Sequence, residues 1–147
     1  MNLGKPATIF VLVLIVLGSF VFFHQSNKIV GVEMGGKTFS IEVARTNSER
    51  AKGLSGHLPL LDDQGMLFVF PKPDKYGFWM KDMNFSIDII WIDANFKIVH
   101  IENSLPPETY PKVFYPETPA LYVLEVSNGE VEKLSLKVGD AVKFLKK

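Results

Sequence analysis

Two carboxylates inside apolar, strand-like runs are the residues of this chain best placed to do chemistry. Asp88 falls in the run I-D-I-I-W-I, where side-chain alternation along a strand puts it on the same face as Ile90 and Ile92. Glu125 shares a strand face with Val123 in the same way. A carboxylate directed toward apolar neighbours costs free energy unless it is paired or hydrogen-bonded. These two positions therefore predict either a functional site or buried ion pairs.

Two cations in neighbouring motifs are candidate partners for Asp88 and Glu125. Arg50 lies just inside a predicted short helix, and Lys81 directly follows F-W-M. We predict that these four charged side chains converge in a polar pocket whose wall includes Trp79. Such a pocket would bind a small polar ligand or a peptide, because aromatic faces supply apolar area while paired charges orient the ligand.

Two other interpretations of the same residues stay open. An enzyme could use Asp88 and Glu125, or Asp88 with Lys81, as the general acid and base of a hydrolysis. In a purely structural scaffold the charges would only hold the helix on the sheet as buried pairs. We favour a binding or accessory module over catalysis.

Methionine and histidine side chains raise the further alternative of a copper site. Met80 and Met83, with Met66, His57 and His100, are ligand types that copper accepts. Methionines three residues apart near a strand end are more typical of core packing, and the histidines have no ligand spacing to each other. The chain has no cysteine, which excludes disulfides and thiolate metal sites. We therefore predict neither a metal nor another cofactor.

The overall charge indicates which large partners to expect. The 147 residues carry 16 basic and 16 acidic side chains, so the formal net charge is zero. A nucleic-acid-binding protein needs a clustered excess of lysine and arginine to displace counterions from phosphates. The composition therefore predicts no nucleic-acid partner.

The N-terminal segment predicts a membrane location. Residues 7–23 read A-T-I-F-V-L-V-L-I-V-L-G-S-F-V-F-F and carry no charge. A bilayer core of about 30 Å needs roughly 20 helical residues, a length that this apolar segment and its uncharged flanks provide. We predict that residues 1–27 form a single transmembrane anchor that contacts lipid through residues 7–23, with the C-terminal domain extracytoplasmic. The alternative is a cleaved signal peptide, which would leave the domain secreted.

The remaining residues, 28–147, have the pattern of one domain of short strands. Gly35-Gly36 between alternating apolar runs indicates a hairpin, because both glycines tolerate the positive φ of a tight turn. The stretch T-N-S-E at 46–49 is a capping box, and it predicts a short helix that Gly53 ends. Seven or eight short strands in all predict a mainly β fold, namely a compact antiparallel β-sandwich or barrel-like domain with one short helix.

A proline-rich stretch at 102–119 interrupts this pattern. It holds five of the nine prolines together with three aromatic residues. Loops of this length are usually functional or disordered, and the aromatic residues favour packing against the domain. We predict that this stretch forms a rim or lid beside the pocket, or else covers a sheet edge.

Residues 43–125 carry motifs that together resemble an uncharacterised protein family, the domain of unknown function 192 (DUF192, also UPF0127). The matching stretches are V-A-R-T-N-S-E-R-A-K-G-L-S-G (43–56), G-M-L-F-V-F (65–70), F-W-M-K-D-M (78–83), I-D-I-I-W-I-D (87–93) and V-L-E (123–125). The chain departs from the usual family pattern at Ser55 and at Asp82-Met83. The resemblance implies a compact, mainly β domain and no established activity. Its motifs give the candidate ligand-binding residues Glu49, Arg50, Trp79, Met80, Lys81, Asp88 and Glu125.

Overall fold

The computed structural model of the protein describes residues 28–147, so the predicted anchor at 1–27 lies outside the described residues. No helix within 28–147 has the length and apolar character needed to cross a bilayer. The seven strands are β1 (Ile29–Met34), β2 (Lys37–Ala44), β3 (Gln64–Asp74), β4 (Ile87–Ile92), β5 (Ile98–Leu105), β6 (Ala120–Ser127) and β7 (Lys143–Lys146). The helices are α1 (Asn47–Lys52), a 3-10 turn (Pro107–Thr109) and α2 (Glu130–Lys133).

The described strands form one sheet in the order β5-β4-β6-β3-β2-β1-β7. Strands β2 and β3 run parallel, and the other neighbouring pairs in residues 28–147 are antiparallel. The mainly β prediction is confirmed. The predicted antiparallel sandwich or barrel-like domain with one short helix is corrected, because residues 28–147 form a single seven-stranded sheet with one parallel strand pair and two short α-helices. The prediction was wrong because strands buried on both faces, such as β4, are covered here by helices and irregular segments instead of a second sheet.

Each side of the sheet has its own apolar core. The first face, here called the α2 face, packs Ile90 and Leu124 against Val131 of α2. The second, here called the α1 face, packs Trp91 and Val123 together with Leu54, two residues after the end of α1. Alternate residues of β4 and β6 thus enter different cores, which fixes the side of the sheet on which each polar side chain must lie.

Two local predictions are confirmed. In the capping box, the Thr46 hydroxyl accepts a hydrogen bond from the Glu49 amide at 3.2 Å, and the Glu49 carboxylate accepts one from the Thr46 amide at 2.8 Å. The Gly35-Gly36 turn joins β1 to β2 with φ values of 56° and 78°, which suit glycine. Both features are encoded within a few residues, so no long-range contact is needed to specify them.

The chain between α2 and β7 connects the two edges of the sheet. Val142 donates a backbone hydrogen bond to Phe96 at 2.9 Å, just before edge strand β5. The Phe96 ring lies 5.1 Å from the ring of Phe144 on the other edge strand, β7. The sheet therefore curls around the core of its α2 face, and an isolated antiparallel bridge between Lys97 and Ala141 joins its edges where a continuous strand pair would close a barrel.

The proline-rich stretch packs on the α1 face. Its first residues extend β5, and the 3-10 turn follows. Phe114 is 5% exposed and exchanges backbone hydrogen bonds of 2.8 and 2.9 Å with Phe78. The Tyr110 ring meets the ring of Trp79 edge-on with centroids 6.2 Å apart. The stretch therefore buttresses the segment around residues 77–79.

Candidate functional site

A cavity of about 280 Å³ opens on the α1 face between the end of α1 and the segment 76–83. At about 30 Å³ per water molecule, this volume equals roughly nine waters. Four of the predicted site residues line it: Arg50, Trp79, Lys81 and Glu125. The 102–119 stretch contacts Trp79 through Tyr110 but contributes no residue to the cavity lining. Its contribution to the cavity is therefore indirect.

Five of the residues that line the cavity are aromatic. Phe70 and Tyr76 stack with their ring centroids 3.5 Å apart and an interplanar angle of 11°. Phe78 meets Phe68 edge-on at 4.8 Å. Trp79 is 50% exposed and forms part of the opening. Together these rings offer both stacking and edge surfaces to a small ligand.

Glu125 is the buried polar group of the cavity. Its side chain projects from β6 between Met66 of β3 and Ile89 of β4, its register partners on either side. The residue is only 5% exposed, and its Oε2 atom has no hydrogen-bond partner among the residues that the structure describes. Desolvation raises the pKa of this carboxyl from 4.5 to about 8. Near neutral pH the group is therefore mainly a neutral acid that can donate a hydrogen bond.

Arg50 is held in place by the chain around it. Its guanidinium donates hydrogen bonds to the Val69 carbonyl at 2.9 Å, to the Asn47 side-chain oxygen at 2.5 Å, and to the Arg45 carbonyl. It also lies 5.1 Å from the centre of the Phe70 ring. The helix thus brings a positive charge to the cavity wall and keeps it oriented.

Lys81 and Lys52 add two further positive charges to the lining. Both side chains are exposed, and within the described part of the chain neither forms a salt bridge. The backbone of Lys81 is tied to the segment after α1, because the Ser55 hydroxyl donates to its carbonyl at 2.9 Å. The position of Lys81 is therefore fixed while its ammonium group stays available.

Asp88 lies on the opposite side of the sheet, which corrects its predicted grouping with Glu125. In the register of β4 and β6, Asp88 faces Val126 whereas Glu125 faces Ile89, so the two carboxylates point to different faces. Asp88 is fully buried, and its two oxygens accept backbone hydrogen bonds from Ser104 and Val131, each at 2.8 Å. These bonds tie β4 to the end of β5 and to α2.

Glu49 and Met80 are not part of the cavity lining. The Glu49 carboxylate closes the capping box, where hydrogen bonds from the backbone of Thr46 and Arg45 lower its pKa. Met80 is 1% exposed and belongs to the core of the α1 face. Both residues hold the elements that carry Arg50 and Lys81.

Most of the aromatic residues that line the cavity were not among the predicted site residues. Phe68 and Phe70 alternate along β3, a spacing that places both on one face, and this signal could have identified them. Tyr76 and Phe78 follow the prolines of β3 in a segment without periodicity, so only the fold brings them to the cavity.

In residues 28–147, no group of three or more histidine and acidic side chains is arranged to hold a metal ion.

The chain is similar to one protein family and to several individual proteins. The family model DUF192, described as Uncharacterized ACR, matches residues 20–144. UPF0127 protein PH1112 from Pyrococcus horikoshii is 27% identical over 109 residues, which cover 71% of this chain and 86% of that protein. The crystal structure of a protein of unknown function from Novosphingobium aromaticivorans superposes with a TM-score of 0.72 at 32% identity, covering 82% of this chain and 89% of that one.

A second crystal structure, from Sinorhizobium meliloti 1021, also has a TM-score of 0.72. It is 27% identical, covers 81% of this chain and 95% of that one, and is described as a candidate transcription regulator. The family model spans most of the sequence, and the two crystal structures share the fold. The chain therefore belongs to the DUF192 family.

Proposed function

We propose that this protein binds a small ligand in the cavity above Glu125. The observation that carries the proposal is Glu125, which lines the cavity and whose buried Oε2 atom has no hydrogen-bond partner within residues 28–147. A buried carboxyl without a hydrogen-bond partner costs roughly 1–3 kcal/mol or more. A ligand that bonds to this group would recover that free energy on binding.

The stability cost of Glu125 argues against a purely structural role for this residue. The buried carboxyl forms no ion pair with the described residues, and burial raises the pKa of its acid group to about 8. A leucine of similar size would fill the same space without that cost. Binding sites commonly keep groups that lower stability because the ligand needs them.

The other walls of the cavity have the composition of a ligand site. Five aromatic residues line it together with a few charged groups, as in most small-molecule pockets. The volume of about 280 Å³ lies near the lower limit of such pockets, which run from roughly 300 to 1,000 Å³. The ligand would therefore be small or only the end of a larger molecule such as a peptide.

The alternative of a hydrolase is weakened by the register of β4 and β6. Asp88 and Glu125 lie on different faces, so they cannot flank one substrate as a general acid and base. Both oxygens of Asp88 also accept hydrogen bonds from backbone amides. An enzyme would have to rely on Glu125 with Lys81, and nothing near them resembles an activated nucleophile.

We also propose that the domain is held at a membrane on its extracytoplasmic side. The support is the sequence of residues 7–23, which is apolar and long enough, with its flanks, to span a bilayer. Cleavage of this segment would instead release a secreted domain. Extraction of the full chain from membranes with alkaline carbonate tests the anchor, because an anchored protein stays in the pellet.

Residues 28–147 hold all the acidic residues and all the basic residues except Lys5, a balance that gives no support for nucleic-acid binding.

Ligand-induced thermal stabilisation tests the binding proposal. The full chain is screened against a library of metabolites and short peptides, and any ligand at about 100 times its Kd should stabilise the fold by about 2.7 kcal/mol. The stabilisation should be lost in Glu125→Leu and kept in the control variant Glu102→Leu. Glu102 is a β5 carboxylate on the same face of the sheet as Glu125, but it lies outside the cavity. A library without a single Glu125-dependent hit would contradict the proposal.

A further inference from the structure

Building on the proposed binding function, we propose that the ligand is a small organic anion with an apolar body. Its anionic group would lie near the cations of the cavity wall, and its apolar body would contact the aromatic rings. One of its acceptor oxygens would take the hydrogen of the Glu125 carboxyl. A simple aromatic monocarboxylate has all three features.

The positive charge of the lining favours an anion. Arg50, Lys52 and Lys81 all line the cavity, and Glu125 is the one carboxylic acid among its lining residues. Lys52 and Lys81 have no salt-bridge partner in the described chain, so their charges are not cancelled locally. Clefts lined by charge of one sign concentrate ligands of the opposite sign.

The Glu125 carboxyl suits an anion only while it keeps its proton. In that state it donates a hydrogen bond to the ligand, as a neutral acid kept in apolar surroundings can do. Once ionised, it would repel an anion at close range. Burial raises the pKa of Glu125 to about 8, so the donor form dominates at neutral pH and is lost above it.

The surroundings of Glu125 contain few other groups that could produce the same pH dependence. The ionisable groups across the cavity are Arg50 and Lys52 from the α1 segment, and Tyr76 and Lys81 from the segment 76–83. Desolvation raises the pKa of Tyr76 above its ordinary value of 10, away from the pH range of interest. On the flanking strands the register partners are apolar. The next ionisable groups on the same face are Glu42 on β2, beyond Met66, and Glu102 on β5, beyond Ile89. Glu102 is paired at 3.2 Å with His100 of the same strand, whose ring contacts Trp91 and does not line the cavity.

Three probes with one phenyl ring separate the charge classes of ligand. Benzoate is an anion, benzamide is neutral, and phenyltrimethylammonium is a permanent cation. We expect isothermal titration of the full chain in detergent to show benzoate as the tightest of the three at about pH 6.5. Its affinity should fall about tenfold by about pH 9, one unit above the pKa of Glu125.

Variants assign the effect to named residues. Glu125→Gln still donates a hydrogen bond but cannot ionise, so benzoate should bind it with little change between the two pH values. Glu102→Gln should keep the pH dependence of the unmodified chain. Lys81→Gln should weaken benzoate but leave benzamide unchanged, whereas Lys137→Gln, outside the cavity, should affect neither.

The outcomes distinguish this inference from the function on which it rests. Tighter binding of phenyltrimethylammonium, rising with pH and lost in Glu125→Gln, would overturn the anion and leave a binding site at Glu125. Benzoate affinity that does not change with pH in the unmodified chain would also overturn the anion mechanism. If no probe binds at millimolar concentration and the library gives no Glu125-dependent hit, both the inference and the proposed function fail.

Discussion

Asp88 and Glu125 sit on adjacent strands with almost equal burial, yet their surroundings differ. Asp88 is 0% exposed and Glu125 is 5% exposed. Both oxygens of Asp88 accept hydrogen bonds from backbone amides at 2.8 Å. The Oε2 atom of Glu125 has no such partner in the described residues. Burial alone therefore does not distinguish a carboxylate that stabilises the fold from one that binds a ligand. The hydrogen-bond partners of the carboxylate make that distinction.

The two carboxylates also divide the molecule by task. On the α2 face, Asp88 joins β4, β5 and α2 beside an apolar core. The α1 face leaves a cavity beside Glu125, with positive charges on its wall. Changes to Asp88 should therefore act on stability, whereas replacement of Glu125 by a leucine should raise stability and abolish ligand binding.

The largest expected effect is the loss of stability in Asp88→Ala. The substitution leaves the backbone amides of Ser104 and Val131 without partners, at roughly 1–3 kcal/mol for each. We expect the free energy of unfolding in urea to fall by about 4 kcal/mol. Asp88→Asn keeps one acceptor oxygen, so it should lose about half as much. A change below about 0.5 kcal/mol in Asp88→Ala would remove the structural role assigned to this residue.

The next effect is a gain of stability in Glu125→Gln that depends on pH. The unfolded chain releases the Glu125 proton above about pH 4.5, whereas the folded chain holds it until about pH 8. Ionisation of the unfolded state therefore lowers the stability of the unmodified protein as pH rises through this window. Glutamine cannot ionise, so the variant should be more stable at pH 7 by about 3 kcal/mol, with the difference vanishing near pH 4.

Urea titrations of both proteins at several pH values measure this difference. Glu42→Gln is the matched control, since Glu42 is an exposed carboxylate in the same row of the sheet. A constant difference between the unmodified chain and Glu125→Gln from about pH 4 to pH 8 would contradict the raised pKa.

The smallest expected effect on stability is that of Lys81→Gln. The side chain is exposed and has no salt bridge within residues 28–147, so unfolding should change by less than about 0.5 kcal/mol. The affinity for benzoate should nevertheless fall about two- to fivefold, because one exposed charge contributes up to about 1 kcal/mol. Unchanged affinity would contradict the contact between Lys81 and the ligand.

The sequence was sufficient to predict the local features of the fold and of the site. The capping box that places Arg50, the hairpin at Gly35-Gly36 and the strand face of each carboxylate all follow from neighbouring residues. The family relationship was likewise visible in short motifs. Each of these depends on a pattern that a few residues carry alone.

The sequence did not predict which strands pair with each other or in which register. The faces of Asp88 and Glu125 were known separately, but only the register of β4 with β6 shows that they point to opposite sides. The parallel pairing of β2 with β3 gives a single sheet where strand count favoured a sandwich. The segment 76–83 closes the cavity through contacts such as the bridge between Phe78 and Phe114, which no local pattern encodes.

The pKa of Glu125 in the free and ligand-bound protein is the most direct test of the central claim. It can be followed through the side-chain carboxyl carbon by carbon-13 NMR during a pH titration. The account predicts a pKa of about 8 in the free protein and a higher value with benzoate, which binds the protonated form. A pKa near the ordinary 4.5, unchanged by any ligand, would show that Glu125 is wetted and would contradict the account.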